Sequence, residues 1–158
     1  MNCNRKNLTI IEKHFNEQEL LKLLFRFDNV FIPPFSCSID LEQYAKKLQS
    51  HAFFICGVYN DNVVGLLAYY KNTEKNQLYI PYICVDPCMQ GWGIGSEMID
   101  FLVNKCFPLF SSIALEVLKT NVLGLSFYEK NDFHIIEDHG EKFLLKKSFI
   151  NTKGKIER

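Results

Sequence analysis

The sequence has no net charge, no long apolar stretch and no close cysteine pair, and each absence removes a class of function. Eighteen Lys and Arg balance eighteen Asp and Glu. The whole-molecule positive field that phosphate neutralisation asks of a nucleic-acid binder is therefore missing. No apolar run approaches the ~20 residues needed to span a bilayer. The start, Met1 to Asn7, is polar, and Leu8–Ile11 is too short for the core of an export signal. Six cysteines, Cys3, Cys37, Cys56, Cys84, Cys88 and Cys106, include no Cys-x-x-Cys pair. Cys84 and Cys88 straddle Asp86-Pro87 with no His at zinc spacing. These features predict a soluble, cytoplasmic protein with reduced, mostly buried thiols, no metal, and neither nucleic acid nor membrane as a partner. Nor is there a repeat or low-complexity tract. At 158 residues, 47% hydrophobic and 23% charged, the chain is long and apolar enough to fold without staples. It reads as one domain over 1–147 followed by a polar tail, 148–158.

Along the chain, Asn16 and Glu19 form a capping-box pattern ahead of Leu20, Leu23, Leu24 and Phe27. Pro33-Pro34 interrupts helix, and Ser38 or Asp40 caps a second one with Leu41, Tyr44, Ala45 and Leu48 as its stripe. Residues 53–59 and 63–70 are β-rich runs around Asn60-Asp61-Asn62, a hairpin signal. A third strand spans 77–85. A glycine-rich turn then leads into a helix carrying Met98, Ile99, Leu102 and Val103. A strand at 113–118, a helix at 121–130 and a hairpin of 133–137 with 142–147 complete the order ααβββαβαββ, preceded by a short strand at Leu8–Ile11. Helices alternating with strands in the middle imply a partly parallel sheet, and hairpins at each end imply antiparallel flanks.

Gly91, Gly93 and Gly95 stand between strand and helix in Gln90-Gly91-Trp92-Gly93-Ile94-Gly95-Ser96. Glycine lets backbone N–H groups approach a ligand without a Cβ in the way, and amides at a helix N-terminus form an anion site. A P-loop would need Lys-Ser/Thr after its last glycine, where this chain has Ser96-Glu97. A dinucleotide fingerprint fits poorly: five residues separate Val85 from Gly91, and bulky Trp92 occupies the turn. A glycine-rich turn with no ligand stays open at this point.

Val85-Asp86-Pro87-Cys88-Met89-Gln90-Gly91-Trp92-Gly93-Ile94-Gly95 resembles the acyl-CoA loop of the GCN5-related N-acetyltransferases (GNAT superfamily). So does a second segment: Leu115-Glu116-Val117, then Asn121, then Phe127-Tyr128-Glu129-Lys130-Asn131-Asp132-Phe133. The resemblance covers roughly residues 8–147. It implies an α/β fold whose mixed central sheet is splayed between strands four and five, with helices on both faces. Acetyl-CoA would be the co-substrate. Ile83, Cys84 and Val85 would offer backbone groups to its arm, and Gln90, Gly91, Trp92, Gly93, Ile94, Gly95 and Ser96 would bind its pyrophosphate. Asn121, otherwise a good helix N-cap, would bind the arm as well.

By the same resemblance Tyr128 is the general acid, although it also reads as a core aromatic beside Phe127. Glu116 is the candidate base. Alternation puts it on the face opposite Leu115 and Val117, and a charge paired on the sheet surface is the plainer reading. The Glu-to-Tyr spacing resembles that of the ribosomal-protein alanine acetyltransferases. Phe31, Tyr79 and Tyr82, with the hairpin near His139, are the expected acceptor contacts. The implied reaction is direct attack of a primary amine on the thioester. A small amine such as an amino sugar is the first choice of acceptor; a protein N-terminus or lysine, and a non-catalytic acyl-CoA-binding module, are the alternatives, and a homodimer is left open. Four departures stand out: Trp92 for Lys or Arg, Gly124 for alanine, Asp132 for glycine, and Pro81 within a central strand.

Overall fold

A computed structural model describes residues 4–149. Cys3 and most of the expected tail, 150–158, lie outside the described residues. Among those described, the chain runs β1 (Leu8–Glu12), α1 (Glu17–Phe27), α2 (Leu41–His51), β2 (Phe53–Tyr59), β3 (Asn62–Asn72), β4 (Gln77–Val85), α3 (Ile94–Cys106), β5 (Ser112–Leu118), α4 (Val122–Lys130), β6 (His134–His139) and β7 (Lys142–Ser148). The strands form one mixed sheet in the order β1-β2-β3-β4-β5-β7-β6. No helix among the described residues is long and apolar enough to cross a membrane. The chain clusters into two compact units, one containing residues up to Tyr69 with Tyr82–Met98, the other Tyr70–Pro81 with the residues from Ile99 onward.

In the first unit, α1 starts on a complete capping box. Asn16 Oδ1 accepts the Glu19 N–H at 2.8 Å, and Glu19 Oε2 accepts the Asn16 N–H at 3.0 Å. The helix buries Leu20, Leu24 and Phe27 and packs against α2, which Asp40 caps and which buries Leu41, Ala45 and Leu48. The β2–β3 turn is the two residues Asn60 and Asp61, both at positive φ (48° and 65°), the conformation a primed hairpin turn demands and these two residue types tolerate. Within that hairpin Gly57 pairs with Gly65, and the first turn of α3 lies directly on the pair. A Cβ on Gly57 would stand 2.7 Å from Ile94 Cγ2, and one on Gly65 would stand 3.0 Å from the same atom and 3.1 Å from Met98 Cε. Ile94 and Met98 are fully buried there, each contributing about 1.5–3 kcal/mol.

In the second unit β5 pairs with β7 along its whole length, from Ser112↔Ser148 to Leu118↔Lys142. The strand therefore runs to Ser148, and Phe149, 1% exposed, donates its N–H to Ser111 O. These two residues belong to the folded body. The parallel ladder of β4 with β5 covers only Gln77–Tyr79 against Ser112–Ala114, the splaying that the family resemblance implies. It ends two residues before Pro81, which has no N–H to give. Strand β6 is exposed throughout and carries a bulge between Ile135 and Glu137, a common way to blunt a sheet edge. The chain leaves α4 through Asp132 at φ 66°, the left-handed conformation that glycine would otherwise supply. Buried Lys147 donates from Nζ to Asn131 O at 2.8 Å and so satisfies the end of that helix.

Because the Ile94 that a Cβ would meet is itself buried, Gly57→Ala will overpack this contact. It should lower stability by about 1–3 kcal/mol, read as a fall in urea midpoint at unchanged slope. An unchanged midpoint would show that the helix seats elsewhere.

Candidate functional site

The glycine-rich segment is anchored at its entrance by charge. Arg26, from α1, donates Nη1 to Val63 O and Nη2 to Asp86 Oδ2, both at 2.8 Å. Asp86 Oδ1 accepts the Cys88 N–H, and the Asp86 N–H reaches Val64 O at 2.7 Å. The Cys88 amide first, and the Arg26 guanidinium with it, hold the Asp86 carboxyl below its ordinary value. A 3-10 turn, Pro87–Met89, tucks Met89 into the interior. Gly91 (φ 88°) and Gly93 (φ 79°) then turn the chain outward. A Cβ at Gly91 would meet nothing within 4 Å, and one at Gly93 would meet only Arg5 Nη2, at 4.0 Å. The first hydrogen bond of α3 runs from Glu97 N–H to Gly93 O. The amides of Ile94, Gly95 and Ser96 therefore come before any acceptor within the helix. The result is an open cradle ahead of a helix N-terminus, which fits a phosphate or diphosphate.

Two details of this cradle were not legible in the sequence. Trp92, which occupies a position where a cation is common in the resembled loop, packs edge-on against Tyr59 of β2, ring centroids 5.5 Å apart. Arg5, far away in the chain, brings its guanidinium beside Gly93 and pairs with Glu97.

The same unit gathers aromatic rings. Tyr82 packs on Phe31 at 5.4 Å and Phe35 at 5.6 Å, with Tyr44 behind at 6.3 Å. Phe31 and Tyr82 are two of the three residues expected to meet the acceptor. Burial pushes the Tyr82 hydroxyl far above its ordinary value, and Cys84 Sγ lies 3.4 Å from it. Cys84 is itself raised to about 12, chiefly by burial, so its thiol is no nucleophile at neutral pH. Ile83 and Val85 alternate with it on the half-buried face of β4.

Tyr79 has other company, in the second unit. Its Oη donates to Glu116 Oε1 at 3.2 Å. The other oxygen, Oε2, lies 3.2 Å from His139 Nδ1, and His139 Nε2 lies 2.8 Å from Glu137 Oε2. Four side chains thus form one hydrogen-bonded file: Tyr79, Glu116, His139, Glu137. Burial, then Glu116, raises Tyr79 to about 12, so the phenol stays protonated and remains a donor. Glu137, then Glu116, raises His139 above its ordinary value. The sequence reading had Glu116, Tyr79 and His139 singly; it missed Glu137, although strand alternation places it beside His139.

Asn121 caps α4 through Oδ1, which accepts the Gly124 N–H at 2.9 Å. The side-chain amide of Asn121 fills the space that a Cβ at Gly124 would take, so a larger residue there would have to displace the cap. On the same helix Tyr128 is half-buried, edge-on to Phe127 at 5.2 Å and to Phe133 at 5.6 Å.

The model of the acetyltransferase (GNAT) family matches residues 18–133. The chain belongs to this family. No curated protein matched. Among solved structures it is similar to a GNAT-family acetyltransferase from Staphylococcus aureus Mu50, at 18% identity and TM-score 0.71, covering 90% of this chain and 99% of that one. It is also similar to the PaiA N-acetyltransferase from Thermoplasma acidophilum in complex with coenzyme A, at 15% and 0.70 over 89% and 99%. A third is the ribosomal-protein alanine N-acetyltransferase from Escherichia coli, at 14% and 0.67 over 89% and 94%. These likenesses are of fold. Among the described residues no group of three or more His, Cys, Asp or Glu is arranged to hold a metal.

Asp86 is depressed in the folded chain, so its stabilising contribution is present above its unfolded value of 3.8 and lost as pH falls through the depressed one. Arg26→Ala should raise the Asp86 titration part of the way back, because the Cys88 amide remains. Carboxyl carbon chemical shifts followed through acid pH would read this, and an unmoved titration would contradict the ion pair.

Proposed function

We propose that this GNAT chain is an acetyl-CoA-dependent N-acetyltransferase acting on a primary amine, with a small amine such as an amino sugar as its acceptor. The observation that carries the reading is the open cradle at Gly91 and Gly93 before the first turn of α3. The neighbour from Thermoplasma acidophilum holds coenzyme A. In this reading the amides from Gln90 to Ser96 grip the diphosphate, and Arg5, by leaving Glu97, adds the charge that Trp92 does not provide. Backbone groups of Ile83, Cys84 and Val85 hold the pantetheine arm. Asn121, with Oδ1 committed to its cap, donates to the arm from Nδ2.

Acetyl-CoA supplies an acetyl group already activated as a thioester. The residues have two proton tasks left. An alkylammonium is about three units too protonated at neutral pH, or about 4 kcal/mol, and Glu116 removes that proton. Tyr128 donates from Oη to the departing thiolate, since a phenol near pKa ~10 is protonated at neutral pH yet gives its proton readily. Phe31, half-buried over the buried Tyr82, is the apolar side chain of this cluster that an acceptor would meet. The balanced charge of the chain supports a small acceptor over a strongly acidic or basic macromolecule.

A melting experiment with acetyl-CoA tests the first half of the reading. At a hundredfold excess over Kd, stability should rise by about 2.7 kcal/mol, and no shift would overturn the reading. Thiol release over a panel of glucosamine, spermidine and an alanine-terminated tripeptide tests the second half. Tyr128→Phe should cut kcat by about 10²-fold on the best of these while leaving the acetyl-CoA shift in place.

A further inference from the structure

The file Tyr79–Glu116–His139–Glu137 has a direction. Tyr79 donates to Glu116 Oε1 and, raised to about 12, stays a donor, so it takes no proton from that carboxylate. The side chain on the other oxygen is His139. His139 waits on that side with its Nδ1 at 3.2 Å, and its far nitrogen is held more closely, at 2.8 Å, by Glu137. The closer carboxylate keeps the ring proton on Nε2 when the ring is neutral. That tautomer turns the Nδ1 lone pair toward Glu116 Oε2. Glu137 is 62% exposed and His139 37% exposed, so the end of the file meets water.

We propose that His139 is the proton acceptor behind Glu116, oriented for that task by Glu137. The inference rests on the reading of Glu116 as base. The acceptor N–H bond breaks as an O–H bond forms on Glu116. That O–H breaks in turn as N–H forms at His139 Nδ1, giving an imidazolium between two carboxylates. After turnover the imidazolium returns its proton to water. A carboxylic acid is about 100-fold stronger than an imidazolium, so passing the proton to the ring holds it more firmly than the carboxylate alone would. The logic is that of a base oriented by a third group. His139 acts through Glu116 and is a positioning residue in this scheme.

The charged groups around the ring agree with this role. Glu116 faces it from β5, Glu137 from its own strand, and Lys142 lies opposite it on β7. Asp138 is occupied by Lys119 at 2.7 Å. His139 is raised, so it keeps its proton to higher pH, and a protonated ring cannot accept another. The rate therefore climbs as pH rises through the His139 value, and removing the Glu137 charge, the largest cause of the raising, moves that climb to lower pH.

The test uses the full chain with acetyl-CoA and the best amine of the panel above. His139→Ala should lower kcat/KM by about 10–100-fold, with recovery that scales with added imidazole. Glu137→Gln should move the acid limb of kcat/KM to lower pH. Nitrogen chemical shifts of the neutral His139 ring should show the Nε2–H tautomer, a readout that needs no acceptor. Unchanged kcat/KM in His139→Ala, an unmoved limb in Glu137→Gln, or an Nδ1–H tautomer would each overturn the relay. Glu116→Gln separates the two levels of inference. If it retains full turnover, the base assignment itself falls; if it is inactive while His139→Ala is not, only the relay falls.

Discussion

The seating of α3 on the Gly57–Gly65 pair is the contact on which the rest of the first unit depends. A helix N-terminus is useful as an anion cradle only if its first turn cannot shift, and side-chain packing normally keeps a helix and a sheet well apart. Two facing glycines remove that spacer, so Ile94 and Met98 rest on backbone. With the helix fixed from beneath, Arg26 and Asp86 fix the other end of the loop. Between these anchors the loop is open, and the two left-handed positions cost little because glycine has no Cβ to clash with its own backbone.

Charge in the second unit is arranged on a different principle. Exposed ion pairs generally contribute little to stability, and the Glu116–His139–Glu137 set is half exposed to exposed. Its significance lies in geometry. Both oxygens of one carboxylate and both nitrogens of one imidazole are engaged in a line, and it is on that alignment that the proposed relay rests.

Much of this was legible from local chemistry. The Asn16–Glu19 capping box, the Asn60-Asp61 turn, the Asn121 cap and the left-handed Asp132 all involve residues within a few positions of each other, where stereochemistry decides. The two family segments were readable for the same reason. What was not legible depends on pairing across the chain. Arg26 meets Asp86 over sixty positions, and Arg5 meets Glu97 over ninety-two. His139 reaches Glu116 only because β7 carries the last hairpin against β5. Tyr79 and Tyr82 looked alike in sequence, yet odd and even positions on one strand gave them different surroundings. Gly124 looked like a simple departure until the Asn121 side chain was seen to fill the space of its Cβ.

Trp92 is the one indole in the chain, and it rides on the loop with its ring against Tyr59. Nature has thereby placed a built-in fluorophore at the mouth of the cradle. Its emission colour and its energy transfer from Tyr59 respond to that loop and to no other tryptophan. Stopped-flow mixing of unlabelled protein would therefore time the arrival and departure of whatever lies there, with no dye attached.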